Sequence, residues 1–270
     1  MRPALFAANV STKETSGDEA IMFDLTGKTA LVTGGGRGLG LEMAKALARA
    51  GAWTVINGRN RQNLEEARER LAADGISVGI APGDITQDVE TILLRAIDKT
   101  GQLDILIHAV GERDRRGTEA MAPQDFASLL NTDLTAAYAV ARSALPLIQR
   151  SSAGRLIFVT SIAAFAARAG DPAYTAAKGG LEALTRSLAV ELGADNLTVN
   201  AIAPGWFATE TNAHLAADPD LKAFVEVRIP LKRWGRPEEI APAAVFLASP
   251  AASFVNGTTL TVDGGMTVQM

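Results

Sequence analysis

The stretch Thr29-Ala30-Leu31-Val32-Thr33-Gly34-Gly35-Gly36-Arg37-Gly38-Leu39-Gly40 decides how this chain folds. Its first five residues are apolar or β-branched, and a short run of this kind bounded by glycines predicts a fully buried β-strand. The glycines permit a tight turn, and apolar residues with helical spacing follow from Leu39 to Ala50. A strand, a glycine turn and a helix in this order predict a binding site for the pyrophosphate of a dinucleotide at the helix N-terminus.

Strands and helices alternate along the rest of the chain. Further strands are predicted at 53–57, 76–80, 103–108, 154–160, 197–203 and 258–262, and further helices at 62–73, 89–100, 123–147, 174–192 and 237–248. The helix at 123–147 is long enough that we expect an internal bend. This alternation predicts an α/β fold: a doubly wound parallel sheet of about seven strands with helices on both faces.

The chain is predicted to form a single domain. Residues 1–22 are mostly polar and lack periodicity, which predicts a flexible N-terminal tail. Residues 23–270 form the predicted dinucleotide-binding catalytic domain. Its one long connection, at 204–236, separates a strand from the helix that follows it, and such a connection is typical of a lid over a substrate site.

Composition excludes several classes of function. The 270 residues carry a net charge of −4, which argues against a general nucleic-acid binder. Because the chain has no cysteine, it has no disulfide, no thiolate zinc site and no cysteine nucleophile, and we expect no metal. No apolar run approaches the roughly 18 residues of a membrane span. A reducing cytoplasm fits this composition.

Tyr174 and Lys178 form the candidate catalytic pair. Residues four apart on a helix project from the same face, so both side chains can reach a common ligand. A free tyrosine has a pKa of about 10 and is a poor proton donor or acceptor at neutral pH. A nearby ammonium favours the phenolate, which suits the transfer of a proton to or from a carbonyl oxygen. The spacing alone also occurs on ordinary exposed helices.

Several motifs in one order resemble the short-chain dehydrogenase/reductase family over residues 25–265. The matching segments are T-G-x-x-x-G-x-G from Thr33, Gly83-Asp84-Ile85, Ser161 thirteen residues before Tyr174, Tyr174-x-x-x-Lys178, Asn200-Ala201-Ile202-Ala203-Pro204-Gly205 and Val262-Asp263-Gly264-Gly265. The resemblance implies a single Rossmann-type domain that transfers a hydride between a nicotinamide dinucleotide and a carbonyl or secondary alcohol.

The resemblance also implies a role for each of four side chains. Tyr174 would be the general acid in ketone reduction and the general base in alcohol oxidation. Lys178 would favour the phenolate and hold the nicotinamide ribose. Ser161 would hydrogen-bond the substrate oxygen, and Asn131 would hold a water molecule that links Lys178 to solvent. Considered singly, Ser161 could be only a strand-end cap and Asn131 a locally satisfied helix residue.

The residues that the resemblance implies for cofactor binding follow the glycine turn and the carboxyl ends of the strands. They are Gly34, Gly36, Arg37, Gly38, Leu39, Gly40, Arg59, Asp84, Ile85, Gly111, Tyr174, Lys178, Pro204, Gly205 and Thr209. One motif departs from the family, because His108-Ala109-Val110-Gly111 replaces the usual Asn-Asn-Ala-Gly. We expect His108 to be a buried structural side chain that partly replaces the lost hydrogen bonds, at some cost in stability and without loss of activity.

Charge at the end of the second strand indicates which cofactor is preferred. Family members that prefer NAD place an acidic side chain there to bind the ribose 2′-hydroxyl. This chain has Asn57-Gly58-Arg59-Asn60, without a carboxylate to repel a 2′-phosphate. Arg59 and Arg37 suit bidentate contacts to phosphate, although either could be solvated. The sequence therefore predicts NADP(H) over NAD(H).

The substrate is expected to contact Arg113, Trp206 and His214, whereas Met121 and Phe165 could equally belong to the core. Segments after strands two and four and at the start of the lid are similar to the gluconate 5-dehydrogenase-like subgroup, which reversibly reduces a keto-aldonic acid. A 3-oxoacyl thioester on a carrier protein is an alternative substrate. A catalytically silent cofactor-binding protein is a second alternative.

Family resemblance and the small residues of the helix from Tyr174 predict a homotetramer.

Overall fold

A seven-stranded parallel sheet organises the computed structural model, which describes residues 22–193 and 196–269. Its strands are β1 (Thr29–Thr33), β2 (Trp53–Gly58), β3 (Val78–Pro82), β4 (Ile105–His108), β5 (Gly154–Val159), β6 (Leu197–Pro204) and β7 (Thr259–Val262). They lie in the order β3-β2-β1-β4-β5-β6-β7, and each strand runs parallel to its neighbours. The predicted doubly wound sheet is confirmed, while the tail predicted at 1–22 lies outside the described residues except at Met22.

Helices cover both faces of the sheet. The described helices are α1 (Gly38–Arg49), α2 (Arg61–Ala73), α3 (Val89–Ile97), α4 (Pro123–Leu130), α5 (Ala136–Ile148), α6 (Pro172–Leu192), α7 (Ala213–Ala216), α8 (Pro219–Arg228) and α9 (Ala241–Ala248). Leu47 of α1, Leu64 of α2 and Leu247 of α9 belong to one buried cluster. A second large cluster includes Ile92 of α3 and Val140 of α5. No helix in the described part of the chain is both long and apolar enough to cross a membrane.

Several predicted element ends differ from the structure by one to three residues, and two of the differences have a clear local reason. The third strand begins at Val78 rather than Ile76, because the Ile76 N–H donates 2.9 Å back to the Leu71 carbonyl and closes the end of α2. The helix predicted at 237–248 begins as a 3-10 turn, Pro237–Ile240, before α9 continues it. Both differences lie within the few residues over which element ends are hard to predict.

The long helix predicted at 123–147 contains a π-helical turn. Helix α4 ends at Leu130, the π turn covers Asn131–Thr135, and α5 continues from Ala136. A π turn holds one residue more than the α-helix would, and it bends the helix and changes which side chains face inward. The helix is therefore interrupted by a π turn within the segment for which an internal bend was predicted.

The 205–236 segment, which connects β6 to the 3-10 turn before α9, contains α7 and α8. Backbone hydrogen bonds join its two ends: Ala208 N–H donates 2.9 Å to the Gly235 carbonyl, and Gly235 N–H donates 2.8 Å to the Trp206 carbonyl. The segment thus leaves the sheet and returns to it at the same place, beside the carboxyl end of β6.

Candidate active site

A cleft of about 2200 Å³ opens at the carboxyl ends of the strands. Its floor includes Gly34, Ala109, Thr160 and Gly205, the residues just beyond β1, β4, β5 and β6. Strand order reverses between β1 and β4, and this is the point at which doubly wound sheets bind ligands. The cleft exceeds the roughly 300–1,000 Å³ of a single small-molecule pocket, so a dinucleotide and a small substrate can occupy it together.

The glycine turn forms one wall of the cleft and is shaped for a close backbone approach. A Cβ on Gly40 would lie 2.3 Å from the Gly34 carbonyl oxygen, and Gly34 itself has a φ of +67°. Helix α1 starts at Gly38 with its first turn beside the cleft, and the side chain of Arg37 does not cap it. Uncapped N–H groups at a helix start fit a pyrophosphate.

The other predicted cofactor residues line the same cleft. Arg37 is exposed at its edge, and the Arg59 guanidinium pairs with the Glu112 carboxylate at 3.0 Å across it. Asp84 accepts hydrogen bonds from the Thr86 N–H and hydroxyl, which lower the pKa of the Asp84 carboxyl. Further residues of that set in the cleft wall are Ile85, Gly111, Pro204, Gly205 and Thr209. Among residues 22–193 and 196–269, no three acidic or histidine side chains are grouped to hold a metal.

Tyr174 and Lys178 lie together in the cleft, as their spacing predicts. Both belong to α6, and the Lys178 ammonium is 5.6 Å from the centre of the Tyr174 ring. The ammonium is buried and donates 3.2 Å to the Val159 carbonyl and 3.4 Å to the Val110 carbonyl. A Cβ on Gly111 would lie only 3.0 Å from the lysine nitrogen, so the glycine leaves room for Lys178.

Ser161 fits both interpretations drawn from the sequence, because it caps a local turn and also lines the cleft. Its hydroxyl oxygen accepts 3.1 Å from the Ala163 N–H and caps the 3-10 turn Ile162–Ala164. The same side chain lines the cleft, as Tyr174 does, two residues beyond the end of β5. The local cap fixes where the hydroxyl lies, and its remaining lone pair and proton can still serve a ligand.

The expectation for Asn131 is wrong, because its side chain is exposed and away from the cleft wall. Asp133 takes the place beside Lys178 instead: it is fully buried, and its Oδ2 lies 3.5 Å from the ammonium. The π turn brings position 133, and not 131, to the inner side of the helix. Sequence reasoning missed Asp133, although an acidic residue between Leu129 and Leu134 is a sign of an inward polar group.

His108 is a structural side chain, as expected. It is fully buried on β4, and its Nδ1 lies 2.9 Å from the hydroxyl of Thr33, the residue that pairs with it on the neighbouring strand β1. Burial and the nearby Lys178 ammonium lower the pKa of His108 to about 3, so the ring is neutral at physiological pH. A hydrogen bond between the strands thus remains where the family motif is altered.

Basic and aromatic side chains surround the open end of the cleft. Arg113 pairs with the buried Asp171 at the start of α6, with its Nε 3.0 Å from Oδ1, and lies 5.0 Å from the Tyr174 ring centre. Trp206 stacks on Phe224 at 5.1 Å between ring centres. His214 is exposed in the cleft wall, and Arg168 lies 5.7 Å from the Trp206 ring centre. Neither of the two remaining candidates lies in that wall: Met121 packs against a small core cluster, and Phe165 is half exposed.

Comparison with known proteins agrees with this architecture. The family model described as Enoyl-(Acyl carrier protein) reductase matches residues 34–267. Gluconate 5-dehydrogenase from Gluconobacter oxydans is 41% identical over 255 residues, covering 92% of this chain and 98% of that protein. 5-keto-D-gluconate 5-reductase from Escherichia coli K12 is 34% identical over 249 residues, covering 92% and 98%.

A solved structure gives the same result at the level of the fold. A gluconate 5-dehydrogenase from Burkholderia cenocepacia J2315, in complex with NADP and tartrate, has a TM-score of 0.86 at 34% identity, covering 92% of this chain and 98% of that one. The chain belongs to the short-chain dehydrogenase/reductase family, whose members are NAD(P)-dependent oxidoreductases. The resemblance read from the motifs is therefore confirmed.

Proposed function

We propose that this protein is an NADP(H)-dependent oxidoreductase that interconverts a keto group and a secondary alcohol in a sugar acid such as 5-ketogluconate and gluconate. The observation that carries the proposal is that Ser161, Tyr174 and Lys178 line the same cleft as the glycine turn. The names of the sugar-acid relatives support the substrate class.

The proposed chemistry divides between the cofactor and the side chains. When bound, the nicotinamide supplies or accepts the hydride. Tyr174 donates a proton to the carbonyl oxygen in reduction and removes it from the alcohol in oxidation. Ser161, fixed by its contact with Ala163, donates a hydrogen bond to the same oxygen. The buried ammonium of Lys178 favours the phenolate and is held by the Val159 and Val110 carbonyls.

Electrostatics supports NADP(H) as the preferred cofactor. Asn57 at the end of β2 donates its side-chain amide to the Ala81 and Gly83 carbonyls and offers no carboxylate to a ribose. Arg37 and Arg59 both line the cleft, and a guanidinium suits the 2′-phosphate. Arg59 would exchange its exposed pair with Glu112 for the phosphate, at little cost, because surface ion pairs are weak.

The positive charge at the mouth of the cleft supports an acidic substrate. Arg113 keeps about a third of its side chain exposed while it is paired with Asp171, so it can place one guanidinium edge near a ligand. Arg168 lies above Trp206 without a carboxylate partner among the described ion pairs. We propose that these arginines attract the carboxylate, and that Trp206 and His214 shape the space around the hydroxyls.

A 3-oxoacyl thioester on an acyl carrier protein is the second candidate substrate. The same three catalytic side chains would serve it, and Arg113, Arg115, Arg116 and Arg168 could attract an acidic carrier. However, Arg116 is engaged with Asp114 and with Asp125 at 2.9 Å, which removes it from a free basic patch. A silent cofactor-binding protein is disfavoured, because the tyrosine and lysine that carry the chemistry are both present and adjacent.

A substrate panel tests the proposal. Purified protein is assayed with 5-ketogluconate and with an acetoacetyl thioester, each with NADPH and with NADH, at matched concentrations. We expect kcat/KM to be highest for 5-ketogluconate with NADPH. Faster reduction of the thioester would favour the carrier-protein alternative, and a larger kcat/KM with NADH would contradict the assignment of Arg37 and Arg59.

We also propose that the protein is a cytoplasmic homotetramer. Exposed Ala176 and the open space around Gly179 leave part of the α6 surface able to approach a second copy closely. Gly180, by contrast, is small for the chain's own packing, since a Cβ there would lie 2.7 Å from the Leu134 side chain. Light scattering should give the mass of four chains, and a monomeric mass would contradict the tetramer. The absence of cysteine fits a reducing compartment.

A further inference from the structure

A buried carboxylate lies behind the catalytic lysine. Asp133 Oδ2 is 3.5 Å from the Lys178 ammonium, and the two side chains are 0% and 3% exposed. The other oxygen, Oδ1, accepts 2.7 Å from the Glu112 N–H, which fixes the carboxylate. Oδ2 has no hydrogen-bond partner among the described residues, and the charged group that lies close to it is the Lys178 ammonium.

The short distance between the two side chains, and not their burial, favours an ionised pair. A buried ammonium held only by carbonyl oxygens carries an uncompensated charge, which is costly in a protein interior. Burial raises the pKa of the Asp133 carboxyl above its usual value, and the Lys178 ammonium and the Glu112 N–H offset only part of that rise. At 3.5 Å, the attraction between the two side chains favours the ionised pair over a neutral one.

Five other ionisable side chains lie near Asp133 and Lys178, and none of them is an unpaired carboxylate. They are Glu112, His108, Tyr174, Arg113 and Asp171. Glu112 is exposed and paired with Arg59, and Arg113 is paired with Asp171. His108 is neutral. Within residues 22–193 and 196–269, Asp133 is therefore the acidic group left to offset the charge of Lys178.

We propose that Asp133 is a positioning residue whose carboxylate offsets the ammonium charge of Lys178 and so keeps Tyr174 in its protonated, proton-donating form up to higher pH. The inference rests on the proposed function for Lys178 and Tyr174. The family resemblance implied that a neutral amide, Asn131, would lie near Lys178 and hold a water molecule. Asp133 instead places a negative charge there and extends to higher pH the range in which the site holds the proton that ketone reduction needs.

Direct titration of Tyr174 tests the proposal without any substrate. The chain has two tyrosines, and the other one, Tyr138, is exposed on α5, so Tyr138→Phe leaves Tyr174 as the sole source of phenolate absorbance. In that background, Asp133→Asn should lower the midpoint of the ultraviolet phenolate titration by about one pH unit, because the ammonium then acts on the phenol without a counter-charge. An unchanged or higher midpoint would overturn the proposal.

Two further variants make the titration decisive. Asp125→Asn removes the same charge from the exposed surface of α4, where Asp125 pairs with Arg116, and should leave the midpoint unchanged. A shift of equal size there would mean that net charge, and not the pair, is responsible. Asp133→Ser is a smaller neutral replacement for use if the asparagine variant does not fold, and the same downward shift is expected.

Kinetics supply an independent measurement. In Asp133→Asn, the acid limb of the pH profile of kcat/KM for alcohol oxidation should move to lower pH by the same amount as the absorbance midpoint. If the substrate panel finds no turnover but the midpoint falls, the proposed function fails while the role of Asp133 stands. If turnover is found and neither the midpoint nor the acid limb moves, the role of Asp133 is refuted alone.

Discussion

Tyr174→Phe should lower kcat for ketone reduction at least about a hundredfold, because the variant keeps the ring and loses the only atom that transfers the proton. The ring lies near two cations, Arg113 at 5.0 Å and Lys178 at 5.6 Å from its centre, and phenylalanine keeps the ring that faces them. The dissociation constant for NADPH should therefore change little. Steady-state kinetics and a fluorescence titration of NADPH measure the two quantities.

Tyr138→Phe is the matched control for that experiment. It makes the same chemical change at an exposed position on α5, and kcat should stay within about twofold of the wild-type value. Turnover that survives in Tyr174→Phe, with the control equally active, would remove Tyr174 from proton transfer. The cleft would then need a different proton donor.

Gly40→Ala should raise the dissociation constant for NADPH at least about tenfold. The added Cβ would lie 2.3 Å from the Gly34 oxygen and 2.9 Å from the Gly34 carbonyl carbon, both of them backbone atoms that cannot rotate away. The turn must therefore shift, and the N–H groups that face the pyrophosphate shift with it. NADPH fluorescence reports the loss of binding, and a thermal unfolding curve reports how much stability is lost.

Gly117→Ala makes the same substitution in open space, with nothing within 4 Å of the new Cβ. NADPH binding and the unfolding temperature should match the wild-type protein. If Gly40→Ala bound NADPH as tightly as this control, the glycine turn would not be the pyrophosphate site. If both variants lost binding, the effect would not depend on steric contact.

The order of the elements was predictable because the buried strands contain short apolar or β-branched runs that can be recognised in the sequence. All the residues of β1 and β5 are buried, and β1 and the 156–159 part of β5 appear in the sequence as short apolar or β-branched runs that end at Gly34 and Thr160. The third strand was placed two residues early because Ile76 is apolar and buried without being in the sheet. An apolar residue indicates burial, but not the element that buries it.

The catalytic pair was predictable and its charged neighbours were not. Tyr174 and Lys178 stand four apart on one helix, so local geometry brings them together. Asp133 and Asp171 meet their partners through tertiary packing, at sequence separations that no local rule links. Asn131 was chosen because its residue type matches the family pattern, and the π turn placed a different side chain at that point.

The π turn at Asn131–Thr135 makes the site sensitive to the length of the chain as well as to its residues. Deleting one residue there would let α4 and α5 run as one regular helix, and each side chain before the deletion would rotate by about 100° relative to α5. Leu129 would then leave its contacts with Ala173 and Ala177 of α6, and position 133 would turn away from Lys178. A one-residue deletion would thus undo helix packing and lysine neutralisation together, which no single side-chain change at Asp133 can do.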